Sequence, residues 1–362
     1  MSTTDATTAA SRDVVRAALA RLPRVDLGVR ETPFEPLPRL TAALGGPRLY
    51  IKRDDLAGGP LGGNKTRMLE FVLAKAVAAG ATAVVGGSAA QSNYSRQLAA
   101  GCARLGLQCH LVLRVIREGD EHPQGSLLLD YLYGATVQLV GDDRAAQTRR
   151  LAELADELTA AGEVVYAAPQ ASEGDKVLHA AAYVSGAVEL LDQAAAAGVS
   201  LSHLYVSSLD TTHAGLLLGL RASGSDLVVR AISPNERAIF PDRTIEQEVS
   251  RLVAGAAQLL DLPVRVSALD VETSTNHVGE RYGVLTTDGV EALRLFARTE
   301  AIVLDPVYSA KAAAALIADV RSGVLDPGDT VVFWHTGGLP ALFAYADAIG
   351  PLVARPADPA RR

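Results

Sequence analysis

The sequence predicts an α/β fold of two domains with mainly parallel sheets, on three observations. Strand-length apolar runs alternate with helix-patterned segments from Thr66 to Pro169 and again after Lys176. Short loops join them, and such alternation builds βαβ units whose helices cover a parallel sheet. The chain has 362 residues, 49% hydrophobic and 21% charged, enough to bury two cores and unlike a disordered composition.

In order, helical spacing marks Arg12 to Leu22 and a short piece from Pro36 to Leu44, and Leu49 to Arg53 alternates as a strand. Helix Thr66 to Ala79, with Thr66 placed to cap it, ends at Gly80. Strand Thr82–Gly86, helix Asn93–Leu105, strand Cys109–Arg114, helix Gly125–Tyr133, strand Thr136–Val140, helix Ala145–Ala161 and strand Glu163–Ala167 follow. The second cluster reads as helix Lys176–Ala196, strand His203–Ser207, a helix from near Thr212, strand Leu227–Ser233 and helix Ile245–Leu259. Helices Thr287–Glu300 and Ser309–Ser322 and strand Thr330–His335 complete it.

Charge and cysteine usage narrow the class. A formal charge of -7 with no basic stripe argues against a nucleic-acid partner. Cys102 and Cys109 offer neither a metal pair nor a disulfide framework, and no apolar run reaches membrane-spanning length. The expectation is a soluble cytoplasmic enzyme without a metal.

Leu61-Gly62-Gly63-Asn64-Lys65-Thr66-Arg67 is a glycine-rich loop ending in a lysine before a helix. Such a lysine is a phosphate clamp, an amine nucleophile or a solvated side chain. A P-loop requires glycine immediately before its lysine, and Asn64 stands there. Gln91-Ser92-Asn93-Tyr94 opens a helix at a strand's carboxyl end, where a carboxylate can dock beside Ser92, or where Ser92 simply caps. Ser207-Ser208-Leu209-Asp210-Thr211-Thr212 is a second such turn, suited to a phosphate except for Asp210, which caps the helix or meets a cation. Tyr282 and Tyr308 lie in loops, and a tyrosine serves as acid or base when neighbouring charge draws its pKa toward neutrality. The glycines of His335-Thr336-Gly337-Gly338 let main chain lie against a flat ring.

These segments occur in the order seen in the D-cysteine desulfhydrase and 1-aminocyclopropane-1-carboxylate (ACC) deaminase family, which the chain resembles from about Val25 to Tyr345. The motifs are GGNKTR, QSN, THAG, DPVY and HTGG. The resemblance implies the tryptophan-synthase-β fold, type II of pyridoxal-phosphate enzymes. The expected large cofactor-binding domain spans residues 1–65 and 175–362, and the small one residues 66–174.

It further implies a Schiff base between Lys65 and pyridoxal 5'-phosphate, which supplies an electron sink at Cα. Asn93 would bond the ring hydroxyl, Ser309 would face the pyridine nitrogen, and Ser207, Ser208, Thr211 and Thr212 would hold the phosphate. Asn64, Thr336 and Gly337 complete the expected cradle. Ser92, Gln91, Tyr94, Tyr282 and Tyr308 would surround a small amino-acid substrate, with Lys65, Ser92, Tyr282 and Tyr308 catalytic. ACC deaminases resemble one another in glutamate after DPVY and in HLGG, so Ser309 and Thr336 place this chain on the desulfhydrase side. The implied reaction is elimination from D-cysteine or an analogue to pyruvate and ammonia, in a homodimer; the alternatives are ACC ring opening, racemisation or L-cysteate cleavage within the same family, and a catalytically silent ligand-binding homologue. Leu209, Asp210, Thr211, Leu285, Thr286, Gln170 and Ala171 depart from the family pattern.

Overall fold

The computed structural model describes residues 11–59, 61–169 and 173–353; Gln170 and Ala171 lie outside them. The elements in chain order are α1 (Arg12–Ala20), β1 (Phe34–Pro36), α2 (Pro38–Leu44), β2 (Arg48–Lys52), α3 (Asn64–Ala78), β3 (Ala83–Ala89), α4 (Asn93–Leu105) and β4 (Gln108–Arg114). Next come α5 (Gly125–Leu132), β5 (Thr136–Val140), α6 (Arg144–Ala160), β6 (Val165–Pro169), α7 (Glu173–Ala196), β7 (His203–Ser207), α8 (Thr211–Ala222) and β8 (Val228–Ile232). The chain continues through α9 (Ile245–Leu260), β9 (Glu272–Ser274), α10 (Thr287–Glu300), α11 (Ser309–Arg321), β10 (Thr330–Trp334), α12 (Leu339–Phe343) and α13 (Ala346–Val353).

Two sheets result, ordered β1-β2-β10-β7-β8-β9 and β5-β4-β3-β6. Every pairing is parallel except β1 with β2. Strand β10, Thr-Val-Val-Phe-Trp, is buried throughout, as a central strand covered on both faces must be. One core packs α1, α7, α8 and α9 on one face of the larger sheet, and a second packs α2, α10 and α11 on the other. A third core joins α3 and α4 to the smaller sheet. Because β2, β10 and β7 are adjacent and parallel, the lysine loop, the His335 turn and the Ser207 loop all leave the same sheet edge.

Three local expectations are corrected. Thr66 does not cap α3: Gly63 holds that place at φ +151°, the helix starts at Asn64, and the Thr66 hydroxyl donates to Gln97 Oε1 at 2.8 Å. Strands β1 and β9 were not foreseen, since three residues carry too little alternation to read, and β1 includes Pro36, which suits only an edge. Pro36 and Leu37 stay out of α2, which begins with Pro38 at its first turn. Cys102 and Cys109 are buried free thiols. Among the described residues no helix is long and apolar enough to cross a membrane, and no side-chain cluster could hold a metal.

Candidate functional site

Lys65 is presented by a loop fixed on three sides. The Asn64 amide donates to the Thr336 carbonyl at 3.0 Å, and Gly63 pairs with Gly337. Gly337 has φ +93°, and a Cβ there would meet Gly63 Cα at 2.9 Å, so only glycine lets the two turns touch. Arg96 donates to the Leu61 and Gly62 carbonyls from below. Behind the lysine, Arg67 bonds Asp54 (2.8 and 2.9 Å) and Glu189 (2.9 Å), anchoring the first turn of α3.

The Lys65 amine is half-buried, with Met68 Sδ at 3.7 Å and, among the described residues, no carboxylate within ion-pair distance. Burial lowers its pKa below the ordinary lysine value, and Asp210 opposes that shift. A larger fraction is therefore the neutral, nucleophilic amine.

The amine opens into a cavity of about 630 Å³. At one end stand Ser207, Ser208 and the start of α8. Ser207 Oγ is buried without a partner among the described residues, and Asn64 Nδ2 donates to Thr212 Oγ1 at 3.3 Å. Asp210 both caps α8, accepting from the Thr211 amide at 2.6 Å, and pairs with Lys176 at 3.2 Å. Glu248 holds Lys176 from the other side at 2.9 Å. Burial depresses the Lys176 pKa, but these two carboxylates outweigh it and the net shift is upward, so Lys176 stays charged. The carboxylate that sat awkwardly in a phosphate turn is thus neutralised by a cation from α7.

At the other end Ser92 accepts from the Tyr94 amide at 3.1 Å as the cap of α4, and Asn93 Oδ1 accepts from Arg96 at 2.8 Å. The hydroxyls of Tyr282 and Tyr308 are hydrogen-bonded to each other. Burial raises both pKa values above the ordinary tyrosine value, so both stay protonated and the condition for a tyrosine base, a pKa drawn toward neutrality, is not met. His179 also lines the cavity; burial lowers its pKa to about 3, and its Nε2 has no partner among the described residues.

Asn64, Lys65, Ser92, Asn93, Tyr94, Ser207, Ser208, Thr211, Thr212, Tyr282, Tyr308 and Thr336 share this cavity. Three predicted residues do not line it. The Gln91 amide faces away, donating to the Gln124 carbonyl and accepting from the Ser126 amide, and so holds the start of α5. The Ser309 hydroxyl is spent on Asp305, donating to Oδ1 at 2.6 Å and accepting from its amide at 2.8 Å. Gly337 supports the lysine loop from behind. Tyr94 lines the cavity with its ring while its hydroxyl donates to the Ala168 carbonyl. Sequence reasoning missed Lys176, His179, Arg114 and Gln147. Arg114, last residue of β4, could have been found by the same strand-end rule that singled out Ser92.

An unpaired buried serine, a helix start and a deprotonation-prone lysine in one cavity fit pyridoxal phosphate: Lys65 for its aldehyde, and Ser207, Ser208, Thr211 and Thr212 for its phosphate. Fold and site together define a pyridoxal-phosphate enzyme of fold type II. The chain belongs to the pyridoxal-phosphate dependent enzyme family, whose model matches residues 25–337. It is 37% identical to the 1-aminocyclopropane-1-carboxylate deaminases of Burkholderia vietnamiensis and Burkholderia ambifaria, over 91% of this chain and 98% of each relative. A crystal structure of an ACC deaminase homologue superposes with a TM-score of 0.82 at 32% identity, covering 93% of this chain and 98% of that one. A pyridoxal-phosphate-dependent aspartate racemase, 18% identical with a TM-score of 0.64 over 91% of this chain and 95% of its own, shares the fold.

Proposed function

We propose that this enzyme catalyses α,β-elimination from a small β-substituted amino acid, as D-cysteine desulfhydrases do, giving pyruvate, ammonia and the released β-group. The observation that carries this reading is that the partly buried Lys65 amine and the hydrogen-bonded hydroxyl pair of Tyr282 and Tyr308 line one cavity. Ser309 and Thr336, at the two positions where the family divides, support the desulfhydrase side.

Pyridoxal phosphate at Lys65 supplies an electron sink for charge at Cα. The Ser92 hydroxyl and the first amides of α4 orient the substrate carboxylate. Asn93, held by Arg96, would bond the cofactor's ring hydroxyl, and Lys65 Nζ takes the Cα proton. The Tyr282–Tyr308 pair is held in its protonated form and donates a hydrogen bond to the departing β-group. As in the resemblance, the working unit is a homodimer in the cytoplasm.

The second reading is ACC ring opening, favoured by the 37% identity to proteins of that name. Purified holoenzyme is given D-cysteine and ACC in parallel. Sulfide and pyruvate from D-cysteine, at the higher kcat/KM, are expected. Release of 2-oxobutanoate from ACC at an equal or higher kcat/KM overturns the first reading for the second.

A further inference from the structure

The end of the cavity suited to the cofactor phosphate has one cation among the described lining residues, and it comes from the middle of the chain's longest helix pair rather than from a strand-end turn. Arg114 ends β4 and Arg144 opens α6, both in the layers of the smaller sheet, and Lys65 serves the aldehyde. Lys176, on α7, is the remaining lysine or arginine, and it meets Asp210, the cap of α8, at 3.2 Å. Close packing of the two helices brings it there. A Cβ on Gly219 would meet the Val184 carbonyl at 2.9 Å, and one on Gly215 would overlap the Ala180 carbonyl outright, so these glycines let α8 lie against the α7 backbone.

Two buried groups beside Lys176 lack partners. Ser207 Oγ and His179 Nε2 belong to residues only 6% and 2% exposed, both residues line the cavity, and neither atom is bonded among the described residues. Buried polar groups in native proteins are bonded, so two orphans near one helix start point to a ligand with several oxygens. His179 stands three residues after Lys176 and so shares its face of α7. Burial leaves that imidazole neutral, so the positive charge at this end is carried by Lys176.

The carboxylates around Lys176 leave it capacity for an anion. Glu248 accepts from it at 2.9 Å but also pairs with Arg243 at 3.0 Å and Arg251 at 2.8 Å, so its charge is balanced without Lys176. An ammonium has three donors, and Glu248 and Asp210 engage two. Asp210 has no other cation within ion-pair distance among the described residues, and uncompensated it would repel a dianion at the start of α8.

We infer that Lys176 is the cationic ligand of the cofactor phosphate: its third donor serves the phosphate while the other two hold Asp210 and Glu248. This rests on pyridoxal phosphate as the cofactor and is independent of the substrate.

The test titrates apo-enzyme with pyridoxal 5'-phosphate and with pyridoxal, which has the aldehyde without the phosphate, and reads each Kd from visible absorbance. The ratio of the two affinities cancels any change at Lys65. Lys176→Met should lower the preference for pyridoxal phosphate about tenfold or more, the loss of one charged donor. Asparagine caps a helix as well as aspartate does, so Asp210→Asn removes the charge alone and should raise the preference. The decisive comparison is Lys176→Met/Asp210→Asn against Asp210→Asn. A loss of about tenfold or more in that background is expected of a phosphate ligand. Equal preference in the two shows that Lys176 only neutralises Asp210, and overturns the proposal. The double variant has no unpaired carboxylate at position 210, so it decides the matter where Lys176→Met alone fails to fold. Wild type that binds pyridoxal as tightly as pyridoxal phosphate overturns the phosphate site itself, and wild type that binds neither removes the cofactor on which the proposal rests.

Discussion

The Asn64 amide and the Thr336 carbonyl, 3.0 Å apart, join the lysine loop to the turn after β10. Residues about 270 positions apart in sequence thereby fix one reactive amine. Gly337 makes the contact sterically feasible, so Gly337→Ala must move the loop or strain its backbone, since alanine at positive φ costs about 1–2 kcal/mol before the 2.9 Å clash with Gly63. We expect the variant to fold but to bind pyridoxal phosphate about tenfold or more weakly, read from visible absorbance during cofactor titration.

Lys65→Ala should remove the visible absorbance of the lysine-bound cofactor and lower turnover by about 10³-fold or more, the scale of losing a positioned base. Wild type that stays colourless with added pyridoxal phosphate would contradict the assignment.

The rate of cofactor capture by apo-enzyme should rise with pH, with a midpoint below the ordinary lysine value of 10.5, because burial favours the neutral amine. Asp210 acts in the opposite direction by stabilising the ammonium. Asp210→Asn should therefore move the midpoint further down, as stopped-flow absorbance across a pH series will show; an upward move would refute the coupling.

Tyr308→Phe removes one hydroxyl of the tyrosine pair. We expect kcat to fall about 10²-fold, with little change in KM. As burial holds Tyr308 well above its usual pKa, wild-type activity should show no alkaline limb from a tyrosine below pH 10.

The ion network behind the lysine is a stability determinant. Asp54 is fully buried and accepts from Arg67, Thr32 and Tyr183 at 2.8–2.9 Å. Burial alone would raise its pKa, but Arg67 and Lys52 bring the net shift below 3.8. Its contribution is thus complete above pH 3.8 and lost as pH falls further. Asp54→Ala should cost about 3–5 kcal/mol in urea denaturation of the apo-enzyme, because Arg67 is left partly unpaired.

Much of the fold was legible because its periodicities are local. Helix α4, strand β5, strand β7 and helix α10 run where hydrophobic spacing and end signals put them. Short β1 and β9 escaped because pairing with a neighbour, not their own sequence, makes them strands. In the site, Lys65, Ser92, Asn93 and Ser207 could be read from strand-end turns. Gln91 and Ser309 could not: both are polar and next to a predicted site residue, and only their partners reveal that one anchors α5 and the other caps Asp305. Asp210 announced that it needed a cation, yet nothing local pointed to Lys176, which lies 34 residues earlier on another helix.

The sequence by itself determined the alternation of strands and helices and the glycine-rich loop that presents Lys65, since each depends on residue types within one turn or one period, and the order of its motifs carried the resemblance that implied the cofactor. Tertiary structure alone decided which predicted residues face the cavity, the protonation of the tyrosine pair, the neutralisation of Asp210 and the presence of Lys176, His179 and Arg114 in the cavity wall. The physical reason is that burial and through-space charge depend on which strand ends meet at one sheet edge, a relation that spacing along the chain does not encode.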